Sequence, residues 1–275
     1  MKRVLTALVA APLALAAVFR LPDVGFFLAI LLLIEIAVLE YARLGRRLAA
    51  GVPLTALAVA VPLVATAVRF GVPGWLFGAG QWEAMLVLAA VVPLVFGTLA
   101  LFARVPLAET VSGLGMLAFG LPYFALPVIS LSLVQGRDPW LLLLMLAIVW
   151  AGDSAAFYIG TRWGRRKLAP VVSPNKSWEG AFAGLAAALL VAAGWSLWRS
   201  GTIDPVLMAL AGVTAMAAQI GDLVESMFKR MAGVKDSGNL LPGHGGVLDR
   251  VDALLFAAPV WHLGLHFSRL LPPGS

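Results

Sequence analysis

The 275-residue chain contains no cysteine. That excludes disulfides, cysteine metal sites and thiol nucleophiles. Charge is scarce as well: 12% of residues are charged, where soluble domains carry about 25%. There is no long polar segment, no internal repeat, and no G-x-x-x-x-G-K-[ST], which excludes a phosphate-binding loop of that type. What is present is apolar, with 61% of residues hydrophobic. Together these features predict an all-α polytopic membrane protein, a single integral membrane domain over residues 1–275.

A membrane-crossing helix needs roughly 20 mostly apolar residues. About nine such segments are predicted: Val4–Phe19, Val24–Tyr41, Val52–Phe70, Trp82–Ala103, Val111–Val134, Pro139–Ile159, Gly180–Leu197, Pro205–Ile220 and Ala253–Leu270. Residues 1–135 form the N-terminal helices, and 136–275 the helices and loops that carry chemistry. Lys2-Arg3 and Ala14-Leu15-Ala16 imitate a cleavable leader. A retained first helix is expected, because cleaved leaders are uncommon on chains with many spans.

Lys and Arg divide 15 to five between alternate sides of these segments, which predicts that the richer side is cytoplasmic. The net charge of +6 follows mainly from the same bias. Two charged loops, near 160–179 and 221–252, fall on that side. No nucleic-acid partner is expected.

The second loop concentrates acids and bases. Asp249 and Asp252 are three residues apart at the start of the last helix, a spacing that shares one helix face. Asp222 is read as ending the preceding helix, with Glu225 three residues on. Three carboxylates brought together would suit Mg²⁺, which takes carboxylate, water and phosphate oxygens. The alternative is loop salt bridges to Arg230, Lys235 and Arg250. Gly243, Gly245 and Gly246 flank His244, and glycines let backbone N–H groups approach phosphate. A plain turn after Pro242 is the competing reading, and His244 either donates to a phosphate or caps that turn. Asp153 lies inside the sixth predicted span, where an acid is a functional candidate by default; pairing with Arg162 or Lys176 is the alternative. Arg162, Arg165, Arg166 and Lys167 read as a solvated, lipid-facing cluster. His262 and His266 are four apart, but His262 lies roughly 15 Å along the helix from Asp252 and belongs to packing. Glu35 is deep in the second span, and Glu40, nearer its cytoplasmic end, is a candidate border of the site.

The loop reads Ser226, Lys229-Arg230, Lys235-Asp236, His244-Gly245-Gly246 and Asp249-Arg250-Val251-Asp252. This series resembles the signature of the phosphatidate cytidylyltransferases, without departure. Ser173-Pro174-Asn175-Lys176-Ser177-Trp178-Glu179-Gly180 resembles the family's S-P-x-K-[TS]-W-E-G segment, with Ser177 where Thr is commoner. Gly152-Asp153-Ser154 resembles its membrane-embedded Asp helix. The resemblance is dense over 150–252. It implies Asp222, Asp249 and Asp252 as metal ligands for Mg²⁺, with room for a second cation. These three acids, with Lys229 and Arg230, would form the catalytic set. Asp153, Ser173, Lys176, Ser177, Lys235, His244, Gly245, Gly246 and Arg250 would bind substrate. The implied activity is cytidylyl transfer from CTP to phosphatidate at the cytoplasmic face of the inner membrane, among membrane lipids, with a homodimer allowed. A CTP-dependent polyprenol or dolichol kinase, an isoprenoid-lipid cytidylyltransferase, and a cation or proton transporter are the rival readings.

Overall fold

Apolar segments of this length satisfy their backbone hydrogen bonds in lipid by becoming helices, and helices dominate the architecture. The structure is a computed structural model that describes residues 12–48, 52–71, 95, 98, 107–240 and 245–268. Residues 12–20 are helical. The helices that follow are α1 (Asp23–Gly45), α2 (Leu57–Arg69, entered by a 3₁₀ turn at Leu54–Ala56), α3 (Leu107–Arg137), α4 (Pro139–Trp163), α5 (Trp178–Ser200), α6 (Pro205–Met231) and α7 (Leu248–Phe267).

Among the described residues, five segments are long and apolar enough to cross a membrane: α1, Glu109–Arg137 of α3, α4, α5 and α6. They match five of the predicted spans. The segment predicted at Val52–Phe70 forms a shorter apolar helix, Leu54–Arg69. The last predicted span forms α7, whose first turns carry Asp249, Arg250 and Asp252. Most of the segments predicted at Val4–Phe19 and Trp82–Ala103 lie outside the described residues.

The fold departs from all-α at one place. Lys167–Ala169 (β1) pairs antiparallel with Ser173–Ser177 (β2), with Lys167 opposite Ser177. Pro170 opens the turn and Pro174 interrupts helix formation, so this polar stretch folds back as a hairpin. Ser177 then caps α5 by accepting from the Gly180 N–H at 3.2 Å.

Two packed cores hold the bundle. One joins α1, α2 and α3 to the site end of α6 and α7 through Phe228, Val247, Leu248 and Val251. The other joins α4, α5, α6 and α7 around Trp261 and Met145. The buried face of α5 is Gly180, Gly184, Ala188, Ala192 and Ser196, one small residue every four. Small residues let membrane helices approach closely. A Cβ on Gly184 would lie 2.8 Å from the Gly152 carbonyl oxygen, and one on Gly180 2.7 Å from that of Ala156. This contact sets the start of α5, and the hairpin before it, against the Asp153 helix.

Candidate active site

Helix α6 does not stop at Asp222 as the sequence reading held. It continues to Met231, about 13 Å further along its axis at 1.5 Å per residue. The segment Asp222–Met231 contains neither Gly nor Pro, and Glu225, Ser226 and Phe228 are buried on it. Asp222, Glu225, Ser226 and Lys229 therefore line one helical face at three- and four-residue intervals. The loop begins only after Met231.

Two clusters of charge meet this face. In the first, the Asp222 Oδ2 is 2.7 Å from the Lys176 Nζ, delivered by the hairpin. The Ser226 hydroxyl donates to the Asp222 Oδ1 at 3.4 Å. Gly221 brings α7 alongside: a Cβ there would stand 2.6 Å from the Asp252 backbone oxygen. That crossing places Asp252 next to Asp222, and the carboxylates of Asp222 and Asp153 both repel it electrostatically. Asp153 is exposed on α4, within the field of Lys176. The buried Tyr123 hydroxyl, from α3, has no hydrogen-bond partner among the described residues and lies in the field of Asp252, Glu225 and Asp222.

Lys229 centres the second cluster. It pairs with Glu225, one turn back and fully buried, and with the Asp249 Oδ1 at 2.7 Å. The Asp249 Oδ2 accepts from the Ser237 N–H at 2.9 Å, the Ser237 hydroxyl at 2.9 Å and the Gly246 N–H at 2.7 Å. Burial by itself pushes the Asp249 carboxyl up. The Lys229 and Gly246 hydrogen bonds and the Lys229 charge outweigh it and hold the carboxyl below its ordinary range. Gly245 adopts φ +77°, and a Cβ there would meet the Asp249 Oδ2 at 2.6 Å. Glycine is required on both counts.

Asp249 and Asp252 share a helix turn, but their side chains serve different partners. Among the described residues no three His, Cys, Asp or Glu side chains are grouped to hold a metal ion. Loop salt bridges to Arg230, Lys235 and Arg250 were the alternative to a metal site; Asp222 and Asp249 form theirs with Lys176 and Lys229. Arg230 instead donates to the Val172 carbonyl at 3.3 Å, tying α6 to the hairpin turn. Lys235 and Arg250 are exposed at the rim, Ser173 is half-buried in β2, and Ser177 is buried in its capping role. His244 lies outside the described residues. Arg162, Arg165, Arg166 and Lys167 are exposed, and His262 is buried.

Glu40, read from sequence as a candidate border of the site, sends its carboxylate from α1 to the start of α7, accepting from the Val247 N–H at 3.2 Å and the Leu248 N–H at 2.8 Å. Three residues of this end were not singled out from sequence: Ser237, Gly221 and Tyr123. Glu40 carried a signal, being one of the few acids in an apolar span. The other three look ordinary until the helices are assembled.

The chain matches the model of the Cytidylyltransferase family over residues 1–268. It is 38% identical to a phosphatidate cytidylyltransferase of Pseudomonas aeruginosa, with 94% of each chain covered. Proteins of the same name from Brucella suis and Haemophilus influenzae are each 47% identical over shorter stretches. The first covers 55% of this chain and 57% of the relative, the second 45% and 46%. The family match takes in the hairpin, both charge clusters and the helices that support them, and the chain belongs to the Cytidylyltransferase family.

Proposed function

We propose that this chain transfers a cytidylyl group from CTP to phosphatidate, forming CDP-diacylglycerol and pyrophosphate in phospholipid biosynthesis. The observation that carries the reading is one face of α6 on which Asp222 and Lys229 each meet a group from a distant segment, Lys176 and Asp249 respectively. It joins the 38% identity shared with the Pseudomonas aeruginosa enzyme along nearly the whole chain.

The chemistry asks for no strong base. The lipid phosphomonoester is already anionic near neutral pH and attacks the α-phosphate of CTP. A new P–O bond forms there, the bond from the α-phosphorus to the bridging oxygen breaks, and pyrophosphate leaves. The protein must align the two phosphates and offset their charge. Lys176 faces the hairpin side of the cleft and Lys229 the loop side, so cations flank both. Arg230, Lys235 and Arg250 supply further positive charge at the rim.

The residues present fit a divalent cation of the kind completed by substrate. Asp222 and Asp252 flank the close crossing of α6 and α7 at Gly221 and repel one another, and the buried Tyr123 hydroxyl has no partner among the described residues. Mg²⁺ is commonly held by one or two carboxylates plus phosphate oxygens. When bound, it would supply charge neutralisation at the reacting phosphates. Asp249 can join as a third ligand only by releasing Lys229 or Ser237.

The finer features belong to the same proposal: about nine spans, charged loops in the cytoplasm, an inner-membrane location, and a homodimer where two copies associate. Reporters fused after Arg47, Lys167 and Lys235 should read cytoplasmic, and one after Arg137 external.

The deciding experiment supplies purified protein in mixed micelles with phosphatidate, Mg²⁺ and CTP labelled at the α- or γ-phosphate. Label from the α-position should enter lipid, and γ-label should leave as pyrophosphate. A kinase would put γ-label into lipid, a transporter neither, and either result would overturn the proposal.

A further inference from the structure

We infer that Glu40 is a positioning residue for the reaction: an acid of the N-terminal half that fixes the start of α7 and, through Ser237, the orientation of Asp249. The inference rests on the function proposed above for its kinetic part and on geometry alone for its structural part.

Helix starts leave backbone N–H groups without intrahelical partners, and a side chain just before the helix normally accepts from them. Here the residue in that place is Val247, which has no side-chain acceptor. Glu40 takes the role from 207 and 208 residues away, accepting from the Val247 and Leu248 N–H groups. It is 1% exposed. The positive end of the α7 dipole favours a carboxylate there.

The same carboxylate reaches the loop. The Ser237 hydroxyl lies 3.2 Å from the Glu40 Oε2 and 2.9 Å from the Asp249 Oδ2. One hydroxyl proton can serve only one of them at a time, while the Ser237 N–H holds Asp249 independently at 2.9 Å. Gly246 packs directly on Glu40: a Cβ on Gly246 would clash with both Glu40 carboxylate oxygens and the Ser237 hydroxyl. Glu40, Ser237, Gly246 and Asp249 thus form one unit, with the loop clamped between α1 and α7. On its other side this unit reaches Lys229 through Asp249. The α1 end is itself rigid: the neighbouring Tyr41 donates to the Met116 carbonyl at 3.1 Å and stacks edge-on against Phe228 of α6.

A side chain that merely fills space could be replaced by Gln at little cost. A positioning carboxylate could not, because its two oxygens meet the Val247 and Leu248 N–H groups and share the Ser237 hydroxyl with Asp249, and Gln would turn an N–H₂ donor toward one of these donors. A displacement of about 1 Å far from the chemistry can cost roughly 10²-fold in rate.

The test uses the full chain in phosphatidate micelles, with Glu40→Gln, Glu40→Ala and Ser237→Ala. Two readouts are taken: kcat and KM per folded molecule, and amide exchange across residues 237–255. Glu40→Gln should stay monodisperse, speed exchange at Val247 and Leu248, and lose roughly 10²-fold in kcat with KM for phosphatidate unchanged. Combining Glu40→Gln with Ser237→Ala should cost less than the two separate losses multiplied, since both act through one unit. Wild-type kcat in both Glu40 variants overturns the inference. So does activity lost only in step with folded protein. If the wild-type chain transfers no cytidylyl group, the function proposed above fails, and the exchange of Val247 and Leu248 still decides the role of Glu40.

Discussion

The two ends of the bundle use polar residues differently. At the end holding residues 138, 201 and 204, several polar groups close local needs. Asp138 accepts from the Trp140 N–H and Asp204 from those of Val206 and Leu207, each followed by a Pro that starts the helix. Gly201, at φ +71°, ends α5. Arg69 pairs with Asp23 and donates to the Ser132 hydroxyl at 3.0 Å. At the other end, charges from α1, α4, the hairpin, α6 and α7 converge. Asp252 there accepts from its neighbouring Ala253 N–H, and the Tyr123 hydroxyl has no partner among the described residues. The first end caps its helices from within. The other holds carboxylates in mutual repulsion, which is costly unless something further binds.

The sharpest test of that contrast is charge removal. Asp252→Asn should lower turnover by roughly 10³-fold or more while the protein stays folded, by analogy with losing a group that stabilises developing charge. Asp204→Ala, at the opposite end, should cost about 1 kcal/mol of stability and leave kcat unchanged. Labelled-CTP assays and thermal unfolding in one detergent would measure both. Asp252→Asn with wild-type turnover would erase the distinction between the ends.

A smaller effect separates two glycines. Gly221→Ala places a Cβ 2.6 Å from the Asp252 backbone oxygen, so α6 and α7 must move apart; kcat should fall roughly 10²-fold. Gly201 has open space around it and only its left-handed φ to lose. Gly201→Ala should cost about 1–2 kcal/mol with kcat intact.

Breaking the buried ion pairs comes next. Lys229→Met leaves Glu225 and Asp249 uncompensated and should destabilise by about 3–5 kcal/mol, read by thermal unfolding. The pH dependence follows from the direction of the Asp249 shift. Its carboxyl is held below the ordinary 3.8 in the folded state. The stability it contributes is therefore fully present above that value and is lost as pH falls through its lower folded value. In acid titration, wild type should be more stable than Asp249→Asn by a constant amount above about pH 4, and the two curves should converge as pH falls below it. The smallest effect is expected from Asp23→Asn, whose side chain is 47% exposed: about 0–1 kcal/mol and no change in kcat.

Class and helix layout were legible in the sequence because lipid leaves so few options. An apolar run of membrane length must become a helix, and among the described residues five of the predicted runs form helices of membrane length, α6 running on to Met231 past its predicted end at Ile220. The charged residues gathered at the site end stood out too, because a charge is rare in such a chain. Their grouping was not. Asp249 and Asp252 are three apart, a spacing that predicts a shared face, yet Lys229, Ser237 and Gly246 draw one away from the other. The extension of α6 past Asp222 was hidden because the polar residues after it read as loop, while Phe228 buries itself in the core shared with α1, α2 and α3.

By itself, then, the sequence determined a bundle of apolar helices with a charged end and named the residues of that end, since burial and charge scarcity act on each segment separately. Only the tertiary structure decided which charge meets which. It set Lys176 on Asp222, Lys229 on Asp249 and Glu40 at the head of α7. Those pairings depend on close helix crossings at Gly184 and Gly221, and contacts between segments far apart in the chain leave no periodic trace in either one.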